Sequence, residues 1–162
     1  MKRVIVIGCP GSGKSTFSKS LSEKKGLPLI HLDMLYWNAD KTTVSREVFI
    51  HRLESVMKNE NWIIDGNYLS TMEFRIKACD TVFFLDYPTS VCLDGIHQRK
   101  GKLRTDIPWV ETTDDAEFID FVKEFNIKSR PSVLALLEKN KDKTIITFKS
   151  RTDADKYLCN IR

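Results

Sequence analysis

The chain has little of what marks several large protein classes. Its 162 residues include four cysteines (Cys9, Cys79, Cys92, Cys159) and three histidines (His31, His51, His97). No cysteine pair has CxxC spacing, and no histidine completes a zinc pattern with them. A zinc module and a disulfide scaffold are therefore excluded, and a reduced, cytoplasmic chain is expected. There is no Asn-x-Ser/Thr sequon, and no apolar run approaches a membrane span. Behind Met1-Lys2-Arg3 only four apolar residues precede Gly8, too few for a signal-peptide core. A dominant charge is lacking too, because 26 Lys plus Arg against 22 Asp plus Glu leaves +4. DNA-coating proteins are usually more basic, and neither a helix-turn-helix pattern nor a basic stripe is present, so DNA as a partner is not supported. Repeats, low-complexity tracts and linkers are absent as well.

What is present is ordinary globular material, 41% hydrophobic and 30% charged, which reads as one domain over 1–162. Short apolar runs recur at Val4–Ile7, Leu29–Leu32, Trp62–Ile64, Thr81–Leu85 and Thr144–Phe148. They do not alternate with polar residues, as expected of parallel strands covered on both faces. Between them lie helical spacings: Phe17 with Leu21; Phe49, Leu53, Val56 and Met57; Phe118, Phe121, Val122 and Phe125. Pro131 suits the first turn of a further helix. Strands alternating with helices predict a three-layer α/β domain with a parallel sheet.

Nearly sixty residues separate the fourth and fifth runs, more than one crossover helix needs. Their start is basic (His97, Arg99, Lys100, Lys102, Arg104) and their middle acidic (Asp106, Glu111, Asp114, Asp115, Glu117, Asp120). The segment reads either as a solvated insertion or as a lid over about 99–130 whose arginines meet an anion.

One motif carries chemistry by itself. Gly8-Cys9-Pro10-Gly11-Ser12-Gly13-Lys14-Ser15-Thr16 satisfies GxxxxGK[ST], directly after a strand and opening a helix. By chance the pattern arises roughly once in 30,000 starts. Its glycines let backbone N–H groups form an anion nest, and the helix start adds free amides and a positive dipole end. Lys14 is placed to reach the β and γ phosphates of ATP, and Ser15 to complete a Mg²⁺ shell. A dinucleotide fingerprint fails, since Thr16 stands where the third glycine belongs.

Ligands of open parallel sheets bind beyond the carboxyl ends of the strands, and two carboxylates stand there. Asp65 reads as an outer partner of the metal or as a turn residue in Asp65-Gly66. Asp33 reads as a base for, or hydrogen-bond acceptor from, a substrate hydroxyl, or else as the N-cap of a short helix through Tyr36. Tyr36 and Trp37 fit core packing better than stacking on an acceptor ring, and His31 fits a satisfied core histidine. Cys9 reads as a spacer exposed in the empty loop. Among the nine arginines, Arg99 and Arg130 bracket the lid and are expected to stabilise the transferring phosphoryl group. Arg104 and Arg75, the latter on the acceptor side, are each as well read as surface residues.

These stretches give the chain a resemblance. With His31-Leu32-Asp33, Trp62 to Tyr68, Asp80 to Pro88, Lys128 to Pro131 and Thr144 to Ser150 added to the loop, it resembles the adenylate-kinase-related P-loop kinases. Within these it is most similar to the bacterial group labelled DNA topology modulation proteins. The resemblance implies the P-loop nucleoside triphosphate hydrolase fold, with a five-stranded parallel sheet in order 2-3-1-4-5 and a short helical lid. It also implies ATP as donor, and Ser150 and Arg151 near the adenine. Adenylate kinases carry Asp-Gly-Phe-Pro-Arg where this chain has Asp65-Gly66-Asn67-Tyr68 and no arginine following. They carry Thr-Gly-Asp where it has His31-Leu32-Asp33. Both departures fall on the acceptor side and count against AMP. An aspartate at 33 resembles kinases of small hydroxyl compounds such as shikimate or gluconate.

The sequence thus predicts an ATP- and Mg²⁺-dependent kinase of a small molecule, a nucleotide or nucleoside acceptor being slightly preferred. The loop (Gly8, Pro10, Gly11, Ser12, Gly13, Lys14, Ser15, Thr16), Arg99 and Arg151 would bind ATP. Ser15 and Asp65 would serve the metal, and Lys14, Asp33, Arg99 and Arg130 the chemistry. Three alternatives stay open: a hydroxyl-metabolite kinase using Asp33 as base, a nucleotide-binding regulator linked to DNA topology, and an ATPase with a protein partner.

Overall fold

The computed structural model describes residues 1–111 and 115–161, so Asp114 of the acidic group lies outside the described residues. The chain runs β1 (Arg3–Gly8), α1 (Lys14–Lys25), β2 (Leu29–His31), α2 (Leu32–Tyr36), α3 (Arg46–Met57), β3 (Trp62–Asp65), α4 (Leu69–Ala78) and β4 (Thr81–Leu85). It continues with α5 (Thr89–Arg99), α6 (Ala116–Lys128), α7 (Arg130–Lys139), β5 (Thr144–Phe148) and α8 (Arg151–Asn160). The strands form one sheet in order β2-β3-β1-β4-β5, every pair parallel, as expected.

The unalternating strands are explained by the two faces. In β1, Val4 and Val6 join Phe17, Leu21, Phe83, Phe148 and Leu158 on one side. Ile5 and Ile7 join Leu53, Trp62, Met72, Phe84 and Val133 on the other. Successive side chains of a strand point to opposite faces, so a strand covered twice must be apolar at every position. Each Val, Ile or Phe fully buried in this way contributes about 1.5–3 kcal/mol relative to exposure.

Local signals set several helix starts. The Ser45 and Ser150 hydroxyls and the Asp115 carboxylate each accept a backbone N–H of the turn they open. Asp33 is not such a cap. The N-cap of α2 is His31, and Asp33 lies inside the first turn with its side chain free for other work.

The segment expected to be a lid has two parts. An irregular connection follows α5, and then α6 buries Val122 and Phe125 in the core beside Phe17. The second half is thus anchored in the core, where it packs against Cys9 of the phosphate loop, and residues of the connection reach the loop at Ser15. Among the described residues no helix is long and apolar enough to cross a membrane.

Candidate active site

The phosphate loop leaves β1 at the centre of the sheet and ends in the first turn of α1. Gly11 and Gly13 have φ of 80° and 91°, a region that L side chains rarely adopt. Gly11 is fixed by space as well, because a Cβ there would lie 2.0 Å from the Cys92 carbonyl oxygen of α5. No side chain caps α1, and its first turn carries no acid, so its amides and dipole stay available to an anion. Lys14 Nζ donates to Cys9 O across the loop at 3.0 Å. Burial lowers its pKa, while the carboxylates of Asp65 and Asp33 oppose that shift. Cys9 is buried rather than exposed, packed among Val122, Phe125 and Cys92. The α6 helix covers the loop on that side, which spacing within the loop could not reveal.

Three side chains at the β3–α4 turn each make a polar contact in the site. Asp65 Oδ1 lies 2.8 Å from His31 Nδ1. Asn67 Oδ1 accepts the Gly8 N–H, tying the turn to the loop. Tyr68 Oη donates to Asp33 Oδ1 at 2.6 Å. His31 would be lowered by its burial, but Asp65, helped by Asp106 and Asp33, outweighs this and holds its pKa above the ordinary value. Burial raises the Asp33 carboxyl, with the Tyr68 hydrogen bond and the Lys14 charge offsetting part of the rise.

Beside Asp33 the aromatic side chains form a wall. Tyr36 meets Trp37, Phe49 and Tyr68 at ring separations of 5.1–5.3 Å, and Trp37 meets Trp109 at 5.3 Å. A cleft of about 320 Å³ opens here, lined by Tyr36, Val44, Arg46, Phe49, Tyr68 and Ser70.

The arginines divide sharply. Arg99 reaches Glu111, with Nη2 donating to Oε1 at 2.9 Å and Nε 2.8 Å from Oε2 without a hydrogen bond's alignment. Its charge is felt at Lys14, and its guanidinium lies over Phe118. Arg104 binds Asp106 and Glu111. Arg130 forms a two-pronged pair with Asp86, at 2.7 and 2.8 Å, which Lys149 also joins. It would have to leave Asp86 before meeting a phosphate. Arg151 sits behind the loop, donating to Gly11 O and Val91 O. Arg75 is fully buried on Gly66 O, Tyr68 O and Thr71 Oγ1, and burial lowers its pKa to about 10. It braces the turn from inside and does not face an acceptor.

Three residues escaped sequence reasoning as site members. In sequence Asn67 is only one residue of a turn, and the apolar run around His31 reads as core. Asp106 was one acid among several, yet its carboxylate accepts a hydrogen bond from Ser15 Oγ at 2.5 Å. For Mg²⁺, the donor set fits: a serine hydroxyl at the loop, and Asp65 Oδ2, which is buried and without a partner among the described residues. These are the hard oxygen donors that ion prefers. Among the described residues no three His, Cys, Asp or Glu form a metal cage, so phosphate oxygens and water would supply the remaining ligands.

Comparison with known proteins places this geometry. No protein-family model matches the chain. Over 147 residues it is 26% identical to a shikimate kinase of Bacteroides thetaiotaomicron, the match covering 81% of each chain. It is 33% identical over 88 residues to an adenylate kinase of Baumannia cicadellinicola, covering 52% of this chain and 39% of that one. Among solved structures, the shikimate kinase from Bacteroides thetaiotaomicron superposes with a TM-score of 0.60 at 20% identity, covering 98% of this chain and 94% of the other. At that identity the superposition shows the fold. Sheet order, phosphate loop and these relatives together make the chain an enzyme of the kinase class.

Proposed function

We propose that the chain transfers the γ-phosphoryl group of Mg²⁺-bound ATP to a hydroxyl of a small ring-bearing acceptor, a nucleoside or a comparable hydroxyl compound. The observation that carries this reading is Asp33, half-buried, held by Tyr68 beside the aromatic cleft and within electrostatic reach of Lys14. Its raised pKa moves it toward the operating pH, which favours a general base. In the reaction the acceptor O–H gives its proton to Asp33 as the oxygen bonds to the γ-phosphorus. The bond from that phosphorus to the β–γ bridging oxygen breaks, and ADP leaves.

The loop amides and Lys14 hold the β and γ phosphates, and Arg99 is the lid cation whose charge reaches Lys14. Ser15 and Asp65 would hold Mg²⁺, which when bound neutralises phosphate charge. Aromatic walls suit a flat ring. A phosphate-bearing acceptor needs fixed arginines, and Arg75 is unavailable to it, while Arg46 stands exposed at the cleft rim. This favours the hydroxyl form of the acceptor over a nucleoside monophosphate. The buried free thiols of Cys9, Cys79 and Cys92 suit a cytoplasmic setting.

The test is an acceptor screen with Mg-ATP, in which nucleosides, nucleotides, sugars and hydroxy acids are offered and ADP is measured. A hydroxyl compound without phosphate should release ADP at the highest rate. Release with nucleoside monophosphates alone would overturn the hydroxyl reading.

A further inference from the structure

The connection between α5 and α6 brings a carboxylate to the one hydroxyl that the loop motif reserves for a metal. Asp106 is 6% exposed, and its Oδ2 accepts from Ser15 Oγ. Arg104 fixes it from behind, with Nε donating to Oδ1 at 2.9 Å and Nη2 to Oδ2 at 2.6 Å. Arg104 Nη1 donates in turn to Glu111 Oε2 at 2.8 Å, and Arg99 grips Glu111 from the last turn of α5. The carboxylate is therefore built into place, not loosely adjacent.

Its position poses an electrostatic problem. Arg104 offsets the charge of the carboxylate as a whole, but Oδ2 lies on the Ser15 hydroxyl where an oxygen of an arriving triphosphate comes closest, and like charges this close repel. A divalent cation between them removes the conflict, since bound cations are the largest local charges in such sites. A second observation points the same way. Asp65, also buried, leaves Oδ2 without a hydrogen-bond partner among the described residues.

Resting on the reading that this loop binds Mg·ATP, we infer that Asp106 is a metal-positioning residue. Its carboxylate joins Ser15 in the coordination sphere of the ion, directly or through one water. Binding of the metal–nucleotide complex and docking of the 100–111 connection on the loop are then one event. Magnesium sites commonly use one or two carboxylates beside substrate phosphates, and partners of a metal ligand typically tune affinity by about 10–100-fold.

The experiment is calorimetric binding of a non-hydrolysable ATP analogue, with Mg²⁺ and with chelator, to wild type and Asp106→Asn. Mn²⁺ occupancy is followed in parallel by electron paramagnetic resonance. In wild type the metal should strengthen binding. In Asp106→Asn that advantage should shrink about tenfold or more, through weaker binding with metal and equal or tighter binding without it. Mn²⁺ affinity in the presence of the analogue should fall by a similar factor. An unchanged ratio would overturn the inference. So would tighter binding with metal, which would make Asp106 a plug displaced by nucleotide. Arg104→Lys, which keeps the carboxylate but loosens its hold, should give an intermediate loss and covers the case of a misfolded Asp106→Asn. A wild type that binds no analogue at all would instead overturn the nucleotide reading on which this rests.

Discussion

Tyr68 Oη donates to Asp33 Oδ1 at 2.6 Å, joining the start of α4 to the first turn of α2 across 35 residues. The pair holds a half-buried carboxylate at one orientation and opposes the rise that its desolvation imposes on its pKa. Without the donor the base would remain, but displaced and with its anionic form less stabilised.

Asp33→Asn should lower kcat by about 10²–10⁴, the usual general-base contribution, with Mg·ATP affinity unchanged. The melting temperature should stay level or rise, because the folded state disfavours the charged form at this position. A loss of tenfold or less in steady-state assays would leave Asp33 a binding group only.

Tyr68→Phe should push the Asp33 pKa higher, since the lost hydrogen bond is one that lowers it. The acid limb of kcat/KM against pH should move to higher pH. An unmoved limb would mean that a group other than Asp33 controls it.

Burial opposes it, but Asp65 holds the His31 pKa above the ordinary imidazole value. The protonated form is favoured by folding, so its contribution is full below about 6.5 and is lost as pH rises through the folded pKa. Urea midpoints of wild type should therefore fall between pH 6 and 9 more than those of His31→Gln. Parallel declines would show that the pair with Asp65 adds nothing.

Arg75→Met should destabilise the fold by about 2–4 kcal/mol, because three hydrogen bonds are lost from the buried guanidinium and Gly66 O loses its donor. Urea unfolding reads this directly. A variant of native stability with a raised acceptor KM would instead give Arg75 the acceptor-side role that its position in sequence suggests.

Under native conditions a thiol reagent should label one cysteine quickly, Cys159, and the other three slowly, because Cys9, Cys79 and Cys92 are buried. Fast labelling of Cys9 would show that α6 leaves the loop readily.

The sheet was legible because doubly covered strands must be apolar throughout, so Val4–Ile7 and Thr81–Leu85 announced themselves without alternation. The loop was legible because its chemistry is local, every needed residue lying within nine positions. Asp33 was legible from its place at a strand end. Asp106 was not, because its meaning depends on Ser15, 91 residues away, and nothing near it distinguishes it from other acids in its segment. Arg75 misled for a related reason. Helical spacing places it one turn beyond Thr71, but only the fold turns that face onto the carbonyls of Gly66 and Tyr68.

Gly11 meets a helix at the limit of approach. A methyl group on Gly95 of α5 would lie 2.0 Å from Gly11 O, just as one on Gly11 would strike Cys92. Neither glycine can change alone without opening the seam between loop and helix, so the two form a single heritable unit. The connection bearing Arg104 and Asp106 begins directly after that helix. Chimaeras that borrow this connection from another kinase should therefore be joined beyond Gly95. A junction placed earlier would import a helix face never fitted to this loop, and nucleotide binding would fail before specificity could be exchanged.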